Sequence, residues 1–200
     1  MNKGRVFLVD DDPSTLKAMT RLLREEGFET ASFQSAADFL EHHDMQTPGC
    51  AVVDIALGDC NGLDLYRALA SKGRMRPTIF ITGRGDIAMS VQAMKAGAID
   101  FLTKPVQHAN LIDAIRNAIA ADLLDREERN KISAVTKRIS TLTPREREVL
   151  VHVIAGRLNK EIAVDMRISE KTVKIHRGHV MGKMGVRSVA ALVRIVDAIE

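Results

Sequence analysis

Only two cysteines, Cys50 and Cys60, occur in the 200 residues, too few for a disulfide framework, so each reads as a small core or loop residue. No apolar run approaches the roughly 18 residues that a membrane-spanning helix needs. The N-terminus passes from four apolar residues straight into three aspartates, a pattern foreign to secretory signals. No G-x-G-x-x-G follows that first apolar run, which disfavours a dinucleotide-binding dehydrogenase. His176 and His179 have metal-like spacing but no evident Cys or carboxylate partner, and read as surface or partner-facing residues. These absences predict a cytoplasmic protein that engages no membrane.

What is present divides along the chain. Hydrophobic residues make up 46% of the sequence, enough for one large domain or two small ones, each with a core. The net charge of +3 is unevenly spread. Residues 1–120 carry 13 basic and 15 acidic side chains, whereas residues 140–200 carry 11 and 7. A basic C-terminal segment beside a mildly acidic N-terminal one suggests a nucleic-acid partner for the former.

The N-terminal part alternates short apolar runs with helix-like stretches, which predicts a parallel sheet covered on both faces. The helical stretches lie near Ser14–Glu26, Ala36–His43, Leu63–Ser71, Ile87–Lys95 and Ala109–Ile119. Gly27, Gly49, Gly73 and Gly97 fall where helix C-caps are expected. The run Val6-Phe7-Leu8-Val9 ends in Asp10-Asp11-Asp12, and Cys50-Ala51-Val52-Val53 ends in Asp54. Pro77-Thr78-Ile79-Phe80-Ile81 leads into Thr82 and the loop Gly83-Arg84-Gly85-Asp86. Ala98-Ile99-Asp100-Phe101-Leu102 leads into Thr103-Lys104-Pro105. Open α/β sheets place their chemistry at the carboxyl ends of strands. Clustered carboxylates there need a cation to offset their repulsion, and an oxygen-only ligand set suits Mg²⁺. The hydroxyl of Thr82 and the ammonium of Lys104 suit the oxygens of a phosphoryl group on Asp54.

This pattern resembles the receiver domain of two-component response regulators. The resemblance implies a flavodoxin-like, doubly wound parallel sheet of five strands. It implies that Asp54 is the phosphoacceptor, taking a phosphoryl group from a sensor histidine kinase. Asp11 would bind Mg²⁺ directly, with Asp10 acting through water and with Asp54 and the carbonyl of Ala56 as further ligands. Thr82 and Phe101 would be the switch pair, Lys104 would hold a phosphoryl oxygen, and Lys104–Pro105 is a candidate cis peptide. Leu57-Gly58 stands where receivers usually carry Met-Pro; glycine frees that turn, and Asp59 adds charge beside it. An aspartyl-phosphate hydrolase of the haloacid dehalogenase type would need a second Asp at position 56, which is Ala56.

Residues 121–139 are charged, helix-prone and free of Gly and Pro, and read as a helical linker continuing the fifth helix. Residues 140–200 form the third segment. Thr143 is the N-cap, Pro144 suits the first helical position and Glu146 closes a capping box. An apolar face of Val149, Leu150, Val153 and Ile154 stops at Gly156. A short helix from Lys160 to Met166, a turn through Arg167-Ile168-Ser169, and a basic helix from Glu170 to Met184 make a helix-turn-helix. The run Leu142-Thr143-Pro144-Arg145-Glu146-Arg147-Glu148-Val149-Leu150 resembles the opening of the LuxR/NarL-type DNA-binding domain. Asn159-Lys160-Glu161-Ile162-Ala163, Thr172-Val173-Lys174-Ile175-His176 and Lys183-Met184-Gly185-Val186-Arg187-Ser188 follow in family order. The whole chain is thus similar to FixJ-like response regulators.

That resemblance implies an all-α domain contacting double-stranded promoter DNA through Lys171, Thr172, Lys174, Ile175, Arg177 and Lys183. Lys174 and Ile175 would approach base edges, whereas Lys171 and Arg177 would meet phosphates. By the same resemblance, Gly178 stands where relatives can carry a longer, DNA-contacting side chain. A terminal helix over Val189–Ile199, with Ala191, Leu192, Ile195 and Ile199, is expected to form a dimer surface. Phosphorylation is expected to give a homodimer through a receiver face that includes Val91 and Lys95, and RNA polymerase is a further expected partner. The competing reading is a phosphorylation-independent DNA-binding regulator with a degenerate receiver.

Overall fold

The computed structural model describes residues 4–58, 60–71, 76–83 and 87–198. Asp59, Gly73, the segment Arg84-Gly85-Asp86 and Ile199 lie outside the described residues. The chain divides into two compact units, Met1–Asp125 and Arg126–Glu200.

In the first unit five strands, β1 (Arg5–Val9), β2 (Glu29–Phe33), β3 (Gly49–Asp54), β4 (Thr78–Thr82) and β5 (Asp100–Thr103), form one parallel sheet in the order β2-β1-β3-β4-β5. Strand alternation sends Phe7 and Val9 to one face and Val6 and Leu8 to the other. Helices cover both faces, so β1 and β3 read as unbroken apolar runs and not as alternating ones. Helices α2 (Ala36–His42) and α3 (Gly62–Ser71) supply Phe39, Leu65 and Tyr66 to the core around Phe7 and Phe80. Helix α1 (Pro13–Glu25) and the start of α5 (His108–Ser140) supply Leu16, Leu23, Leu111 and Ile115 to the core around Leu8 and Ile79. Helix α4 (Ile87–Lys95) precedes the edge strand β5.

Gly49 does not cap a helix. It opens β3, and a Cβ there would overlap the carbonyl oxygen of Arg5 on β1, so only glycine permits that close approach. Its N–H donates to Asp122 Oδ2 at 2.9 Å, which gives that fully buried carboxylate a backbone partner. Gly27 and Gly97, by contrast, take positive φ of 80° and 98° after α1 and α4, as helix ends require. Helix α5 is continuous from His108 to Ser140, so the charged, Gly- and Pro-free stretch is helical throughout.

The second unit is helical. Beyond the end of α5 come α6 (Pro144–Ile154), α7 (Asn159–Met166), α8 (Glu170–Met184) and α9 (Val189–Asp197). The capping box at α6 forms: Thr143 Oγ1 accepts from Glu146 N, and Glu146 Oε2 accepts from Thr143 N. Ser169 caps α8 through Thr172 N, and Gly185 at φ 68° ends it. The core gathers Leu142, Val149, Ile162, Val173, Val180 and Met184. Leu192 joins that core with no exposed surface, which corrects the expectation that it lies free on a dimer face; Ala191 and Ile195 are half-buried.

Candidate functional site

The sheet order puts β1 beside β3, with β1 also flanked by β2, so the chain reverses its winding direction at the β1–β3 crevice. Ligands of open α/β sheets bind outside the carboxyl ends of strands at such a point. Asp10 follows β1 and Asp54 ends β3, and both are buried, whereas Asp11 is exposed. One carboxylate oxygen from each of Asp10, Asp11 and Asp54 lies within 4.8 Å of the others. This all-oxygen donor set fits a small hard divalent cation.

The third aspartate of the run does different work. Asp12 accepts hydrogen bonds from the Thr15 hydroxyl and from the N–H groups of Ser14 and Thr15, capping α1. Those bonds, the Thr15 hydroxyl first, hold its pKa below the ordinary carboxylate value. Its own N–H donates to Asp10 Oδ1 at 2.9 Å and so orients that side chain.

Lys104 comes from the loop after β5. Its backbone N–H donates to the carbonyl of Thr82 at 2.7 Å, and the Lys104–Pro105 bond is cis. The ammonium donates to Asp54 Oδ2 at 2.7 Å and to Asp10 Oδ2 at 3.0 Å. Partial burial opposes the charge on Lys104, but the bonds to Asp54 and Asp10 outweigh it and raise the pKa. Asp54 Oδ1 meanwhile accepts from Ala56 N at 3.2 Å. Thr82 is buried at the end of β4, in register with Thr103, and Phe101 is half-buried beside Phe80. Thus Asp10, Asp11, Asp54, Thr82 and Lys104 gather at one end of the sheet.

Gly58 leans on this cluster, since a Cβ built there would lie 3.1 Å from Asp11 Oδ2. The unusual Leu57-Gly58 pair flagged that loop, but sequence gave no sign of the contact. On α4, Val91 is 45% exposed and Lys95 is exposed, so Val91 is not a core residue. Met94, one turn beyond Val91, is 49% exposed and escaped the sequence reading.

In the second unit α8 turns Lys171, Lys174 and Ile175 outward, with Lys174 in a loose pair with Glu170 at 3.5 Å. Thr172 sits half-buried at the helix start, sharing a hydroxyl contact of 2.8 Å with Ser169. A Cβ at Gly178 would meet nothing within 4 Å, so that position is open. Two predicted contacts are committed inside the unit. Arg177 Nη1 donates to Asn159 Oδ1 at 2.8 Å, linking α8 to the start of α7. Lys183 Nζ donates to Glu146 Oε2 at 2.6 Å and to the Thr141 carbonyl at 3.1 Å, which removes its ammonium from the outward-facing set. Glu146 is 3% exposed; the Lys183 bond, then the Thr143 N–H, bring its pKa down to about 2. The sequence identified Glu146 only as half of a capping box; its pairing with Lys183 spans 37 residues, beyond any local pattern.

Residues 6–116 match the family described as the response regulator receiver domain, and residues 140–196 match the LuxR family of bacterial regulatory proteins. The chain therefore belongs to the two-component response regulators that join a receiver to a LuxR-type DNA-binding domain, a family of transcription regulators and not of enzymes. It is similar to the response regulator protein TmoT of Ectopseudomonas mendocina, at 42% identity over 98% of this chain and 89% of that protein. It is 41% identical to the transcriptional regulatory protein FixJ of Rhizobium meliloti, over 99% of this chain and 97% of the relative. Among solved structures, that of the response regulator StyR matches with a TM-score of 0.89 at 42% identity, covering 96% of this chain and 98% of its own. Full-length FixJ from B. japonicum matches at 0.59 and 32% identity over 100% and 98%.

Proposed function

We propose that this response regulator is switched by phosphorylation of Asp54. A nucleophilic oxygen of Asp54 attacks the phosphorus of a phosphohistidine on a sensor kinase. The new P–O bond forms as the P–N bond breaks, and the imidazole leaves. The observation that carries this reading is the Lys104 ammonium shared between Asp54 and Asp10, with Asp11 alongside. Asp10, Asp11, Asp54 and the carbonyl of Ala56 would hold Mg²⁺, which supplies charge neutralisation at the phosphoryl oxygens. Lys104 binds one phosphoryl oxygen and Thr82 hydrogen-bonds another, with Phe101 following Thr82 inward. Those interactions exist only with the phosphoryl group attached, so they favour one arrangement of the loops after β4 and β5.

In this reading the active receiver pairs with a second copy through the α4 face that carries Val91 and Lys95. Pairing places two copies of α8 on promoter DNA, with half-sites about one helical turn apart. Lys171 and Thr172 meet the backbone, while Lys174 and Ile175 meet base edges. A regulator bound at a promoter acts on RNA polymerase, and the kinase and DNA partners put the protein in the cytoplasm. Residues 1–120 would act as the receiver, 121–139 as the linker and 140–200 as the DNA-binding domain.

Sedimentation with and without Mg²⁺ plus beryllofluoride, a stable phosphoryl mimic, tests the reading. Wild type should pass from monomer to dimer and Asp54→Ala should remain monomeric. An unchanged mass for both would favour the phosphorylation-independent alternative.

A further inference from the structure

The end of the linker helix is built into the unit that reads DNA. The second unit begins at Arg126, and Val135 and Ile139 of α5 pack against its hydrophobic core. Arg138 Nη1 donates to the carbonyl of Met184, the last residue of α8, at 3.1 Å. The left-handed turn at Gly185 passes close by, since a Cβ there would lie 3.5 Å from the same nitrogen. From the other side Lys183 Nζ reaches the carbonyl of Thr141, just past the end of α5. The final carbonyls of a helix lack intrahelical partners and carry its negative pole, so cations are favoured there. The α8 C-terminus thus meets a cation from α5 and sends one back.

We infer that Arg138 is a positioning residue for DNA recognition, holding the C-terminal end of α8 against the last turn of α5 without touching DNA. The inference rests on α8 being the helix that enters the groove. Leverage makes the joint matter. Met184 and Lys174 are ten residues apart on α8, about 15 Å at 1.5 Å per residue. A tilt of roughly 5° at the joint moves Lys174 by about 1 Å, enough to spoil a site built on sub-ångström placement. Base readout then suffers, whereas phosphate contacts, which tolerate longer and looser geometry, survive.

The test uses the full chain as wild type, Arg138→Ala, Arg138→Lys and Arg138→Gln. The probes are a duplex enriched by the wild-type protein from a randomised pool and an unrelated duplex of equal length. Affinities are read by fluorescence anisotropy across about 50–200 mM salt. A melt of each variant first sets a temperature at which all are folded. Arg138→Ala should bind the enriched duplex about tenfold more weakly. Its affinity for the unrelated duplex and its salt slope should stay at wild-type values. Arg138→Lys, which keeps a cation at the Met184 carbonyl, should recover most of the loss, and Arg138→Gln less.

Two results would overturn the inference. A salt slope lower by about 1, with equal weakening on both duplexes, would make Arg138 a phosphate contact. A lower melting temperature with unchanged affinity for the enriched duplex would make it a stabilising residue only. If Arg138→Ala does not fold, the same criteria apply to the Lys and Gln variants. Failure of the wild type to enrich any duplex would instead remove the reading of α8 on which the inference stands.

Discussion

Lys104 Nζ lies 2.7 Å from Asp54 Oδ2 and also 3.0 Å from Asp10 Oδ2, so one ammonium bridges two buried carboxylates and offsets their repulsion. Replacing it with glutamine leaves them facing each other. With the lysine side chain 32% exposed, the loss is discounted to about 1–3 kcal/mol of unfolding free energy. Added Mg²⁺ should restore most of that loss in Lys104→Gln, because the ion takes over the neutralising role and meets no competing ammonium. Urea unfolding of both proteins with and without Mg²⁺ checks this; equal losses in both conditions would contradict it.

Glu146 gives the second unit an acid-sensitive joint. Its bond from Lys183, then that from the Thr143 N–H, lowers its pKa from 4.5 to about 2. A carboxyl whose folded pKa is depressed adds stability that is fully present above its unfolded value and fades as pH falls through the folded one. The wild-type advantage over Glu146→Gln should therefore be constant above pH 5 or so and shrink as the pH falls toward about 2. Thermal melts across that range would show it, and a difference independent of pH would count against the ion pair.

The lysines of α8 should separate by their salt dependence. Lys171→Ala is expected to weaken binding to all sequences alike and to lower the salt slope by about 1. Lys174→Ala and Ile175→Ala should change which bases are preferred, at about 1–3 kcal/mol per lost base contact. Lys183→Ala, whose ammonium is bound to Glu146 and Thr141, should destabilise the fold and leave the slope untouched. Anisotropy titrations at several salt concentrations distinguish the three classes.

On α4 the apolar side chains of Val91 and Met94 are both exposed. Val91→Asp should change monomer stability by no more than about 0.5 kcal/mol, since the side chain is 45% exposed. It should nevertheless abolish dimerisation in beryllofluoride, because pairing would bury two like charges. Sedimentation reads both states, and a dimer of unchanged strength would move the interface elsewhere.

Local chemistry made much of this legible in advance. Apolar runs ending in Asp10, Asp54, Thr82 and Lys104 announced both the parallel sheet and the end where its polar side chains gather, because buried parallel strands lack alternation and display polar residues only where they emerge. Thr143, Pro144 and Glu146 announced α6 because capping is a four-residue event. What the chain order hides has one cause. Lys183 and Arg177 look like free cations along the chain, but their partners, Glu146 and Asn159, sit on other helices. Leu192 looks like a spare apolar residue until α6 closes over it. Gly49 looks like a helix cap because the carbonyl it accommodates belongs to β1, far away in sequence. Pairings between elements are set by packing, and no short window of sequence contains them.

The three consecutive aspartates after β1 look like one repeated letter and behave as three different residues. Asp10 has both oxygens engaged, by Asp12 N–H and by Lys104, and so has no freedom to become an amide without losing one of these two partners. Asp11 faces outward beside Gly58. Asp12 only closes a helix, a task that Asn and Ser perform equally well. Sequence drift should therefore be free at the third position and forbidden at the first, and a tally of acidic residues in this loop would miss which relatives have kept the site and which have lost it.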